Sequence, residues 1–183
     1  MKLRLLVPAL LLALATAASA TESLVLNGSG LRTKMILGAM YDLALFVPES
    51  LKGAEAKAII DADQPMEFIL EIKSSLITRE RFVEATTEGF ATAAKAGYTS
   101  DQTQAFLDQF ADTEFKKGNT VVMRYGSAGL VTLYRAPAAG EPPATETQLG
   151  TIQDLDLKKA LFAIWLGNPP VQESLKKGLL GAK

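Results

Sequence analysis

Leu26-Asn27-Gly28-Ser29-Gly30-Leu31-Arg32-Thr33-Lys34, followed by Met40-Tyr41-Asp42-Leu43-Ala44-Leu45-Phe46-Val47-Pro48, is the stretch on which the fold turns. Leu43, Leu45 and Val47 alternate with Ala44, Phe46 and Pro48. That period of two fits a strand with both faces at least partly covered. Pro48 has no N–H for a ladder and ends the element. Asn27–Gly30 reads as a turn, because its two glycines take positive φ without a Cβ penalty. On this reading Ser23–Leu26 begins a strand, and Leu31–Val47 forms one long strand or a bent pair.

Working outward, Ala54–Ile60 is a short polar helix or loop. Met66–Lys73 alternates again and reads as a strand. Thr78–Ala96 is a helix: Thr78 caps it, Phe82, Thr86, Gly89, Phe90 and Ala93 recur at helical spacing, and Gly97 suits the left-handed stop. A second helix begins near Thr99-Ser100-Asp101. Thr120–Tyr125 and Leu130–Arg135 flank Gly126-Ser127-Ala128-Gly129, a hairpin signal. Ala136–Thr147 is a solvated loop. Gln148–Gln153 is a short final strand, and Asp156–Leu166 an apolar helix containing Trp165. Gly167-Asn168-Pro169-Pro170 breaks that helix before Val171–Leu180 makes another. Strands first, helices in the middle, then a hairpin and closing helices define an α+β class: an antiparallel sheet with helices on one face.

The N-terminus carries a different signal. Met1, Lys2 and Arg4 precede an apolar run over Leu5–Ala15, and Ala18-Ser19-Ala20 ends it with small residues. This is the pattern of a cleavable secretory leader, and the run is short of the ~20 apolar residues that span a bilayer. Residues 1–20 are therefore expected to be removed, leaving 163 of the 183 residues as a single domain, 21–183. The expected location is periplasmic or secreted, with no membrane span after cleavage.

The chain holds no cysteine and no histidine. That excludes thiol and imidazole nucleophiles and bases, thiolate zinc sites and imidazole metal ligation. No disulfide can hold an exported fold of this composition, so a packed core must. No cofactor is expected. The leader carries two of the 19 basic residues and none of the 20 acidic ones, so the mature formal charge is −3. Without a basic patch the chain offers nucleic acid no footprint.

Three segments, taken in order, resemble the chalcone isomerase family in its bacterial, exported branch. They are the opening stretch quoted above; Phe110–Asn119 running into the hairpin; and Ala160-Leu161-Phe162-Ala163-Ile164-Trp165-Leu166-Gly167 with Pro170-Val171 and Leu175–Gly181. The resemblance implies a curved antiparallel sheet under a helical layer, with a ligand cleft between them. In the plant enzymes, which close the ring of a chalcone, it implies an arginine, a strand threonine, a tyrosine, an asparagine and a late Ser or Thr. Arg32 matches the arginine. Tyr41 stands at the threonine, Glu80 near the tyrosine, Thr87 near the asparagine and Lys158 near the late hydroxyl. Only one of the five is retained. Other members of the fold bind fatty acids without catalysis, their arginine pairing with the ligand carboxylate.

Arg32 is the leading candidate, because a guanidinium offers a planar fork for a carboxylate. Its competing reading is a structural ion pair with Asp42. Tyr41 is a hydrogen-bonding group for a ligand head or a packed aromatic. Glu80 and Lys158 are helix-surface charges unless buried. Phe82, Phe90, Phe106, Phe110, Phe162 and Trp165 are core. The favoured expectation is a non-catalytic module holding a small apolar or carboxylate ligand. The alternatives are a chalcone-type lyase or isomerase, and an envelope protein whose surface meets a protein partner.

Overall fold

The computed structural model describes residues 23–136 and 145–181. The expected leader and the centre of the Ala136–Thr147 loop lie outside the described residues. Six strands form one open antiparallel meander, each paired with its neighbours in sequence. They are β1 (Leu24–Lys34), β2 (Gly38–Pro48), β3 (Met66–Ile72), β4 (Thr120–Gly126), β5 (Gly129–Ala136) and β6 (Thr145–Ile152). The helices are α1 (Ala56–Asp61), α2 (Arg79–Lys95), α3 (Thr103–Asp108), α4 (Leu155–Leu166) and α5 (Glu173–Leu179). The α+β class and the sheet under a helical layer are as the sequence indicates.

Pleating fills the core. Leu43, Leu45 and Val47 of β2, Met66, Phe68, Leu70 and Ile72 of β3, and Val121 and Met123 of β4 are all buried. Across from them lies α4, whose residues from Ala160 to Leu166 are all buried. A helix apolar on all sides must be covered on all sides. The sheet covers α4 from below, and α2 and α1 flank it. Phe68 meets Phe162 and Trp165 with ring centroids 4.5 and 5.0 Å apart.

The start of α2 follows its sequence signals. Thr78 Oγ1 accepts from Arg81 N at 3.3 Å, and Gly97 takes φ +90° after the last turn. The opening stretch does not behave as expected. Asn27–Gly30 is no turn: β1 runs straight through it, and the turn to β2 falls at Met35–Leu37. Leu37 N closes that turn on Lys34 O at 3.1 Å, and Ile36 and Gly38 both take φ +75°. The final strand also starts earlier than Gln148, at Thr145.

The glycines serve close approach instead. A bulge at Asn27 shifts the register, so that Gly28, Gly30 and Arg32 oppose Leu45, Leu43 and Tyr41 on the helix-covered face. α5 lies on the glycines. A Cβ at Gly28 would overlap the Gly178 carbonyl oxygen and lie 2.7 Å from Leu179 O. A Cβ at Gly30 would lie 3.0 Å from a Leu175 methyl. Asn27 fastens the seat: its Nδ2 donates to Leu179 O at 2.7 Å, and its Oδ1 accepts from Gly53 N at 2.8 Å.

Candidate functional site

The period of two that seats α5 on Gly28 and Gly30 also positions Arg32. It follows them on the same face, one step past the start of α5, where no helix covers it. There a cleft of about 720 Å³ opens between β1–β2, one face of α2 and the Asn168–Val171 connection. Its walls are largely apolar: Leu37, Met40, Leu70, Ile77, Phe82 and Ile164. Gly89 lets α2 approach α4, since a Cβ there would meet the Ile164 side chain at 2.8–3.1 Å.

Two polar groups converge inside. Arg32 Nη1 donates to Thr33 O at 2.6 Å and to Gln172 Oε1 at 2.8 Å. Both acceptors are neutral. Asp42, the acid expected to neutralise Arg32, is instead paired with Lys73 at 3.0 Å. No carboxylate bridges Arg32 among the described residues. Beside it, across the β1–β2 ladder, is Tyr41. Tyr41 Oη accepts from Trp165 Nε1 at 2.9 Å, and its own proton has no acceptor among the described residues. Burial raises the Tyr41 pKa, and the nearby Trp165 and Arg32 only temper that rise. The phenol therefore stays protonated at neutral pH and remains a donor. An unpaired guanidinium and a free O–H can hold an anionic oxygen; neither is a base. Lys34, Arg81, Glu84 and Glu88 stand around the cleft.

The other three predicted site residues lie elsewhere. Glu80 is exposed and paired with Arg79 at 2.7 Å, which holds its carboxyl at about 2. Thr87 is exposed and donates to Val83 O at 2.8 Å. Neither Glu80 nor Thr87 is among the α2 residues that line the cleft. Phe82, Thr86 and Gly89 recur at three- and four-residue spacing and face it.

Lys158 is buried rather than a surface charge, yet it is not in the cleft. Its Nζ donates to the carbonyls of Ile59, Ile60 and Ala62 at 2.8, 2.8 and 2.9 Å. It also lies 4.8 Å from the Phe162 ring centroid. Three acceptors match the three N–H of an ammonium and satisfy the end of α1. Sequence reasoning missed Gln172 and Gly89 as site residues. Gly89 carried a signal, a glycine inside an apolar helical stripe; Gln172 carried none.

A family model described as chalcone isomerase-like matches residues 13–181. The chain belongs to that family. Among solved structures, the chalcone isomerase-like fold recurs in the fatty-acid binding protein AtFAP1 of Arabidopsis thaliana, at a TM-score of 0.65 and 18% identity over 89% of each chain. At that identity the likeness shows the fold. No curated protein matches the sequence. Of the five positions that the resemblance singled out, Arg32 and Tyr41 reach the cleft.

Proposed function

We propose that this chain is a non-catalytic binding protein that holds a small amphipathic carboxylate, such as a fatty acid, in the cleft beside Arg32. The observation that carries the reading is an arginine facing a largely apolar cleft with no carboxylate bridged to it among the described residues. A buried or half-buried cation without a counter-ion is unfavourable, and a ligand carboxylate would supply one. The cleft volume falls in the ~300–1,000 Å³ range of small-molecule sites, and its few polar groups converge at one end. The Arabidopsis protein of the same fold binds fatty acids by its name. The ring-closing alternative lacks support, since Glu80 and Thr87 do not line the cleft and Lys158 is tied to three carbonyls. The leader-like residues 1–20 support action outside the cytoplasm, in the periplasm or beyond.

Trp165 is the sole tryptophan, and its indole N–H reaches the cleft through Tyr41. Its fluorescence can follow a titration of a long-chain fatty acid and of the matching methyl ester. Arg32→Ala should weaken acid binding by ~10–100-fold, the worth of a charged hydrogen bond, and ester binding little. Equal loss for acid and ester would overturn the anchoring role.

A further inference from the structure

The turn between β1 and β2 is an unexplained feature of the surface. Met35 and Ile36 are 92% and 101% exposed, and Leu37 is half exposed. Three consecutive apolar side chains at a hairpin tip are disfavoured unless something covers them. Ile36 also holds φ +75°, where a β-branched residue is strained and Asn or Gly would fit without strain. Nothing within the described chain offsets either penalty.

Position supplies the reason. Leu37, at the foot of the tip, lines the cleft, and so do Leu76 and Val171, both exposed. The tip and these two residues form an apolar lip around the mouth. Lys34 adjoins the tip, and Arg81 stands across the mouth. Near the tip, Lys73 is shared between Asp42 and Glu71, at 3.0 and 2.8 Å. Arg81 shares α2 with the acids Glu84 and Glu88, which also line the cleft, so the positive charge on the hairpin side is that of Lys34 and Arg32. The hairpin side of the lip is thus apolar with Lys34 and Arg32 beside it, on a chain whose net charge is negative.

We propose that the Met35–Leu37 tip inserts into an anionic lipid surface and seats the mouth of the cleft on it, so that an amphipathic ligand passes between bilayer and cleft without crossing water. The proposal rests on reading the cleft as the site of such a ligand. A second copy of the chain is a poorer occupant, because a three-residue tip offers far less than the ~800 Å² per partner of a stable interface. A bilayer takes each side chain separately, and its anionic headgroups complement Lys34 beside the tip.

The test is flotation of the mature chain with vesicles of phosphatidylcholine, with and without phosphatidylglycerol. The wild type is compared with Met35→Ser/Ile36→Asn, which leaves the cleft lining untouched and relieves the left-handed strain. The wild type should float, more so with phosphatidylglycerol, and the variant should lose about tenfold or more of its partitioning while its melting temperature is kept. No flotation of the wild type, or equal flotation of the variant, would overturn the proposal. So would a wild-type dimer in sedimentation that the variant dissolves. If flotation is as expected for wild type and variant but neither binds fatty acid in solution, the docking stands and the ligand reading fails.

Discussion

Gly28→Ala tests the packing that underlies both fold and site. The added methyl would overlap the Gly178 carbonyl oxygen and lie 2.7 and 2.8 Å from Leu179 O and Gly181 N. All three are backbone atoms, so no side chain can swing aside; α5 must back away by roughly 1 Å to restore ordinary contact. Overpacking of this kind costs about 1–3 kcal/mol. Withdrawal also strains the buried Asn27–Leu179 hydrogen bond, worth ~1–3 kcal/mol if its groups are left unpaired. Lower chain entropy in the unfolded state returns ~0.5–1 kcal/mol. The net expectation is a loss of about 2–4 kcal/mol, read as a drop of ~1–2 M in the urea midpoint at unchanged slope. Gly126→Ala is the control: a Cβ there meets nothing within 4 Å, and its stability should stay within ~0.5 kcal/mol of wild type. A Gly28→Ala protein as stable as the Gly126→Ala control would refute the account of α5 seated on glycines.

Two further outcomes follow from the same contacts. Burial pulls the Lys158 pKa from its usual 10.5 to about 7. Between those values the unfolded chain keeps a proton that the folded chain releases, so wild-type stability should rise with pH relative to Lys158→Met, by up to ~1.4 kcal/mol per unit, and flatten below about pH 7. Urea unfolding of both proteins from about pH 6 to 9 checks this, and parallel pH profiles would sink it. Gln172→Ala removes the only side-chain acceptor of Arg32 among the described hydrogen bonds. A carboxylate would then no longer compete with Gln172, and its affinity should rise roughly fivefold by Trp165 fluorescence; weaker binding would show that Gln172 orients Arg32 instead.

The elements whose signals are short-ranged were legible in the sequence. The alternation in β2 and β3, the Thr78 cap, Gly97 and the Gly126–Gly129 hairpin each depend on geometry spanning a few residues, and each reads off locally. The resemblance to the chalcone isomerase family added the arrangement of sheet and helices, and it singled out Arg32. Asn27–Gly30 misled because a glycine pair signals either free φ or close approach, and the second needs a partner 150 residues away. The real turn was hidden by the apolar character of Met35–Leu37, which suits a strand in every respect except its exposure.

Residue types and period-two spacing placed Arg32 and Tyr41 on a strand and left histidine and cysteine chemistry out of the repertoire. Only the tertiary structure decided the rest. It gave Asp42 to Lys73 and so left Arg32 without a bridging carboxylate among the described residues, kept Glu80 and Thr87 out of the cleft lining, and caged Lys158 among three carbonyls. Each of those outcomes is a choice among long-range partners, made by which groups packing brings within a few ångströms, and no local pattern in the chain encodes that distance.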